Sequence, residues 1–583
     1  MKIPKKFPIA FAIVFLLYFS AFSALSAVSQ RNTYHVSPDG TADGDGSESA
    51  PWDISTANAS LLAGDTAILH GGDYEFNIHP VNSGEEGAPI TYLAAKGEVP
   101  RFYRLRNGLD VEDTSYIIID GIEVAETKFW IEAAGADHLT IRNSIFHNDK
   151  RPTSFSACYM EDMGDYLHIA NSTFSKSGGD SLRIIGGNHH LIENNTFDTA
   201  GHSLLTLIAV QDSVIRNNYF SNPTQKNMEV FNSWDNDREP PERKSEYLLI
   251  EGNEFALAEA VAVDSMGWSG IQYAGSSSIL RHNVFHDTGL GIDIALYDGS
   301  DQDAWSNTHN RFYNNTFYKN GYQSMVGGDS NGTGVGFLPY SSPKWTSDAF
   351  QAYYSYEDQI FSNNLFYLNQ SMVPSSPRSA QIVFDHNAKP EYSRLYNNLL
   401  FYTKAEQPII FFRDEWEWYT VTEFERAYPE FAEGNIQADP QMVDPENGDF
   451  TLQETSPAID SGRDLTFATA PGTGNLIPVQ DALYFSDGKG VVNPDIIRVN
   501  GQRATIIHVD YENNTLEISE TLSWKTGDPV TLDYAGDAPD IGAFEYALEK
   551  RRASQKNVIA LLSLLLVVGI ALVLRYFRAK KKT

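Results

Sequence analysis

Cysteine is almost absent: Cys158 is the only one in 583 residues. No disulfide can form within the chain and no cysteine-rich metal site can be built. Alone in an apolar run, Cys158 reads as a small core side chain. Basic residues are also scarce. Lys and Arg number 43 against 76 Asp and Glu, a formal net charge of −33. That balance excludes nucleic acid as a partner, because phosphate binding needs a basic footprint. It also works against an anionic sugar polymer, unless a divalent cation or a local basic patch mediates contact.

Two apolar runs mark the ends of the chain. Lys2, Lys5 and Lys6 precede the stretch Ala10 to Phe22, and small residues follow from Ser23 to Ala27. This is the layout of a secretory signal, predicted over 1–27. The second run, Val558 to Leu574, is followed by Arg575, Arg578, Lys580, Lys581 and Lys582. It is just long enough to span a bilayer. The reading is a transmembrane helix over 557–575 with a basic cytoplasmic tail over 576–583, which puts the large domain outside the cytoplasm. A sorting tail removed by an envelope protease is the rival reading.

What the middle of the chain contains is a repeat. It runs apolar, any, any, usually Asn, any, Phe: IRNSIF to Phe146, IANSTF to Phe174, IENNTF to Phe197 and IRNNYF to Phe220. It continues as IEGNEF to Phe255, LRHNVF to Phe285, FYNNTF to Phe317 and FSNNLF to Phe366. A weaker copy ends at Val124 before these, and another at Leu400 after them. A shortest period near 22 residues, with longer excursions, suits a coil of three short strands with extra residues looped out on one side. One coil cannot bury its own inner face, so neighbours must stack. The repeated Asn is expected to take the left-handed bend between strands and to ladder its amide to the next coil. That column is Asn195, Asn218, Asn253, Asn283, Asn315, Asn364 and Asn398. The Phe column is expected to stack in the core.

With YHVSPDGTADGDGSESAPW (Tyr34 to Trp52) and LLAGDTAILHGGDY (Leu61 to Tyr74) before the coils, and SPAIDSG (Ser456 to Gly462) and PDIGAFEY (Pro539 to Tyr546) after them, the chain resembles the pectate-lyase-like superfamily. The resemblance implies an all-β fold, a right-handed parallel β-helix with an N-terminal cap over 31–475 and a closing segment over 535–548. Between them, 476–534 alternates as hairpins do, with turn signals at Asn500-Gly501 and Asn513-Asn514, and reads as a small β module. The superfamily holds lyases, hydrolases, epimerases and non-catalytic proteins, so the fold alone does not choose an activity.

In this superfamily substrates lie on the sheet after the Asn-x-Phe strand. Anchoring its strands on Cys158, Leu182, Leu204, Met228, Val261, Ile292 and Val335 as inward residues sends the next residue outward. Two residues before the anchors, Asp180, His202 and Lys226 then line one edge in three successive coils, flanked by Arg183 and Glu229. This supplies what elimination from a uronate requires. A cation offsets the substrate carboxylate and the enolate-like intermediate, and a base takes the proton beside it. Arg183 is the candidate cation and Lys226 or His202 the candidate base. Asp180 and Glu229 would orient them, contact substrate, or hold Ca²⁺ through oxygen ligands. Asp293 and Tyr297 lie farther along the same side as candidate sugar subsites.

SGGDSLRI (Ser177 to Ile184) followed by AGHSLLTL (Ala200 to Leu207) resembles coils of polygalacturonase-type hydrolases, with Asp180 and His202 at matching positions. Gly179 and Ser156 stand where that pattern has Asp, which removes the carboxylates that would pair with Asp180 in inverting hydrolysis, and Glu229-Val230-Phe231 replaces its Arg-Ile-Lys motif. The layout is also similar to the chondroitinase B and alginate lyase type, whose Lys base and Arg lie on successive coils; here Lys226 lies two coils after Arg183. The leading expectation is therefore an exported, membrane-tethered polysaccharide lyase. A non-catalytic β-helix that binds envelope polysaccharide comes second, and a glycoside hydrolase third.

Overall fold

A computed structural model describes residues 31–149, 156–232, 244–257, 269–295, 306–320, 337–340, 355–369, 380–384, 391, 393–412 and 416–546. Three parallel sheets run side by side through it. Sheet 1 has fourteen strands, from Thr33–Val36 to Ala432–Glu433; sheet 2 has twelve and sheet 3 nine. Each coil visits sheets 1, 2 and 3 in turn, as in Leu191–Glu193, Thr196–Ala200 and Ser203–Ile208. The helix Ile54–Ser60, capped by Asp53 accepting from Thr56 N at 2.7 Å, lies in the first coil.

From the coil of Ile145–His147 onward, every passage from sheet 1 to sheet 2 takes two residues, while the other two passages vary in length. This constancy explains the repeat. The first residue of each pair is left-handed: Asn194 (φ 56°), Asn217 (54°), Gly252 (63°), His282 (54°), Asn314 (52°), Asn363 (56°) and Asn397 (50°). The ladder asparagine is the second. The expectation that one Asn does both jobs is corrected: the bend falls on its predecessor, which frees the ladder amide to point into the core. The amides bond along the column at 2.9–3.1 Å, from Asn195 through Asn218, Asn253, Asn283, Asn315, Asn364 and Asn398 to Asn435. Each also serves backbone groups; Asn195, for example, donates to Ile169 O. Buried polar atoms are thereby satisfied. Alongside, Phe146, Phe174, Phe197, Phe220, Phe255, Phe285, Phe317 and Phe366 stack with centroids 4.7–5.0 Å apart.

Two outer faces are clad by later chain. The outward residues Leu191, Val214, Leu249 and Ile279 of sheet 1 form one apolar cluster with Phe485, Ile497, Val499 and Ile506. These belong to a six-stranded antiparallel sheet running from Thr466–Phe467 to Pro529–Leu532. It begins before the expected boundary at 476. Asn500 (φ 47°) and Gly501 (φ 78°) form its tight turn, both left-handed as a type I′ hairpin requires. Arg281 Nη2 ties this module to the helix through Asp495 at 2.6 Å. On sheet 2, Val284, Leu365 and Leu399 pack against Phe450, Leu452 and Ile541 of the closing part. Asn314 Nδ2 donates to Asp540 O at 2.8 Å there. No helix among the described residues is long and apolar enough to cross a membrane, and the expected segments 1–27 and 557–575 lie outside those residues.

Candidate functional site

Pairing fixes the register of sheet 3. Cys158, Leu182, Leu205, Met228, Ile271 and Ile292 are mutually aligned inward residues. Three expected anchors are thereby corrected. Leu204 gives way to Leu205, and Ile271 and Phe337 fill the places assigned to Val261 and Val335, which lie outside the described residues. The outward column reads Tyr159, Arg183, Thr206, Glu229, Gln272, Asp293. Ser203, not His202, pairs with Lys226. His202 sits one residue earlier and still joins the cluster, because its ring reaches back to the preceding coil.

Asp180 is the hub. It is 2% exposed, so its carboxylate must be compensated inside the protein. Arg183 Nε donates to Oδ2 at 2.9 Å and Nη2 to the same oxygen at 2.5 Å. Ser156 Oγ adds a bond at 3.2 Å. Oδ1 accepts from His202 Nδ1 at 2.6 Å and from Ser203 N at 3.2 Å. Burial pushes the Asp180 carboxyl up, but the His202 hydrogen bond and the Arg183 charge outweigh it and hold the group below its ordinary value. Asp180 is therefore ionised and can only accept, which puts the hydrogen on His202 Nδ1.

Glu229, 3% exposed, forms the second half. Lys226 Nζ donates to Oε1 at 2.6 Å and Thr206 Oγ1 to Oε2 at 3.2 Å. His202 Nδ1 stands 3.7 Å from Oε2. Burial lowers the His202 pKa, yet the Asp180 hydrogen bond and the Glu229 charge reverse this and leave it above the ordinary imidazole value. Arg183 and His202 are each about one-third exposed, at 31% and 32%, so both present an edge to solvent. With Nδ1 engaged, Nε2 is the imidazole atom left to meet a ligand.

Five predicted residues thus come together: Asp180, Arg183, His202, Lys226 and Glu229. Asp293 is outward in the same column but two strands beyond Glu229, roughly 10 Å away. Tyr297 lies outside the described residues. Ser156, to which the sequence assigned no role, bonds Asp180, and Ser203 and Thr206 join the cluster without having been foreseen. Thr206 was legible: in LLTL (204–207), placing the single polar residue outward selects Leu205 and Leu207 as the inward pair.

The ligand atoms of Asp180, His202 and Glu229 lie within 4.8 Å of one another. The donor set does not fit the expected Ca²⁺. Both carboxylates already carry a cationic partner, so a divalent ion would sit against a guanidinium and an ammonium. It would also gain a nitrogen ligand where Ca²⁺ takes oxygens.

Comparison with known proteins agrees with the architecture. A family model described as "Right handed beta helix region" matches residues 101–233 and 156–335. A curated relative, the pectate disaccharide-lyase of Dickeya chrysanthemi, is 35% identical over 124 residues, 21% of this chain and 15% of that protein. The chain therefore matches under a sixth of that relative's length. Among solved structures, a pectate lyase is 15% identical with a TM-score of 0.44, covering 89% of this chain and 97% of its own. An alginate lyase of the PL6 family is 14% identical with a TM-score of 0.38, covering 63% and 53%.

Proposed function

We propose that this right-handed parallel β-helix of the pectate-lyase-like superfamily is a polysaccharide lyase, cleaving a uronate-containing polymer by β-elimination on the outer face of sheet 3. The observation that carries the reading is the Asp180–His202 pair beside Arg183. Asp180 fixes the tautomer and orientation of the ring, so His202 Nε2 is the base. Arg183 neutralises the substrate carboxylate and the enolate-like charge that builds on it. His202 takes the proton from the carbon beside the carboxylate. Its electron pair forms the new double bond as the glycosidic C–O bond breaks. The departing oxygen takes a proton from the Lys226 ammonium, which Glu229 holds in place. Lys226 is thereby the acid rather than the base. No step calls for a metal ion. Asp293 serves an outer subsite.

The domain works outside the cytoplasm, exported by segment 1–27 and held at the envelope by 557–575. A second reading rests on one observation: every Asp180 and Glu229 oxygen is already paired, as in a charge ladder that only stabilises the stack. Ultraviolet absorbance of the unsaturated product, followed over a panel of uronate polymers, separates the two. A rise that disappears in His202→Ala supports elimination. No rise and no new reducing ends leaves a polysaccharide-binding scaffold; reducing ends without absorbance indicate a hydrolase.

A further inference from the structure

The geometry points to a second carbohydrate site, on the outer face of sheet 1, that takes a neutral, hydroxyl-rich sugar unit. At the passage from sheet 3 to sheet 1, four successive coils place Tyr116, His138, Tyr166 and His189 in the left-handed region. Their rings stack with centroids 4.2, 4.7 and 5.0 Å apart. Beside the stack lies a cavity of about 360 Å³. That is near the lower end of the range for small-ligand sites. Its floor is the outward column Ile118, Thr140, His168 and Leu191.

Two walls close the groove. Gly87 and Pro89 stand at one end and Val491 of the C-terminal module at the other. Beyond Leu191 the same column, from Val214 onward, is sealed by that module. His189 Nδ1 bonds Lys489 O at 2.8 Å, and Lys489 Nζ bonds Asp212 at 3.1 Å, marking where the seal begins. The groove is therefore the stretch of sheet 1 that neither neighbour covers.

The chemistry inside selects the ligand. The polar groups near it are engaged with one another: His138 with Asp137 at 2.8 Å, and His168 with Glu193 at 3.2 Å, which Arg216 also holds at 2.7 Å. No Lys or Arg lines the groove among the described residues; the nearest cation, Arg31, stands at its rim, where its side chain donates to Gly87 O at 2.9 Å. The hydroxyls of Tyr116, Thr140 and Tyr166 have no hydrogen-bond partner among the described residues. Neutral hydroxyls beside aromatic edges and the apolar Ile118 and Leu191 match a sugar ring, whose C–H face is apolar and whose rim is hydroxylated. The site stands whether or not sheet 3 is catalytic.

Isothermal titration of the full chain with neutral gluco-, xylo-, manno- and galacto-oligosaccharides, and with uronate oligomers, tests this. At least one neutral series binds. Its affinity falls about tenfold or more in Tyr166→Ala, as expected for a lost ring contact and hydrogen bond. Tyr166→Phe, which keeps the stack, loses less, and His202→Ala binds as the parent does. The inference is overturned if no neutral oligosaccharide binds, if only uronate oligomers bind, or if binding survives Tyr166→Ala and is lost in His202→Ala.

Discussion

Sheets 1 and 3 share one core and one coil period, yet use their outward columns in opposite ways. On sheet 1 the later part of the column, from Leu191 at the edge of the groove through Val214, Leu249 and Ile279, is apolar and packs against the C-terminal module. On sheet 3 it is Arg183, Thr206, Glu229, Gln272 and Asp293. Alternation gives each strand an inner residue that must be apolar and an outer residue whose type the coil does not dictate. The outer column is thus where stability or chemistry can be added without disturbing the stack. One face has used it for adhesion and the other for paired charges.

The comparison breaks most sharply at His202. His202→Ala should lower kcat by about 100- to 10,000-fold, the usual worth of a positioned base. Thermal unfolding should shift little, because the ring is one-third exposed. Progress curves beside melting curves check both halves. A variant that melts early and loses activity in proportion would make the sheet 3 column a stabilising ladder like its counterpart.

Arg281 is the mirror case. Its side chain is 5% exposed and bonds Glu251 and Asp495, each at 2.6–2.7 Å. Arg281→Ala leaves two part-buried carboxylates without this cation and should destabilise by about 3 kcal/mol, the lower end of the cost of breaking a buried pair. Activity per folded molecule should not change, since Arg281 lies on sheet 1. Denaturant unfolding with a parallel rate assay checks this. An activity loss at full folding would mean that the module reaches across to sheet 3.

How these faces divide was only partly legible in the sequence. The Asn and Phe columns were read correctly because their identity repeats at fixed offsets around a passage of constant length, Asn194-Asn195 being one example. The left-handed residue was misplaced by one, since Asn often fills both places of the pair. The register of sheet 3 was legible at Arg183 and Glu229, where polar and apolar residues alternate, and Asp180 and Lys226 followed at a fixed offset before their anchors. That register failed at Leu204-Leu205, two adjacent apolar residues that fit either register, and a one-residue slip exchanges the faces. The apolar stripe of sheet 1 went unnoticed because Leu191-Ile192 and Leu249-Ile250 read as plain core. Only the module, far later in the chain, explains why both residues of each pair are apolar.

Asp180→Asn offers a finer cut. Asp180 and Glu229 together raise the His202 pKa, and a base must be neutral to act. In the parent, kcat/KM should therefore climb as pH rises past the ordinary imidazole value. Removing the Asp180 charge lowers the His202 pKa, so the acidic limb should move to lower pH. The plateau should fall as well, because the ring loses the partner that fixes its tautomer. Stability has the opposite sign. A raised His contributes most below its ordinary value, and that contribution fades as pH climbs through the folded value. Asp180→Asn should reduce this slope to the part that Glu229 sustains. A rate profile that keeps its limb in place would exclude His202 as the titrating base.

The smallest expected effect is none at all. Asp180 and Glu229 already have Arg183 and Lys226 as counter-charges, so chelators should leave the rate unchanged and added Ca²⁺ should not raise it. Initial rates after exhaustive chelation, with and without Ca²⁺, decide the matter. Unchanged rates mean the protein's own cations do the work a metal would do, and the contrast between an adhesive face and a charged face holds with side chains alone. A rate lost to chelation and restored by Ca²⁺ would require the Lys226–Glu229 pair to open on loading. Lys226 would then be released from its carboxylate, which would return it to the role of base and make His202 its acid.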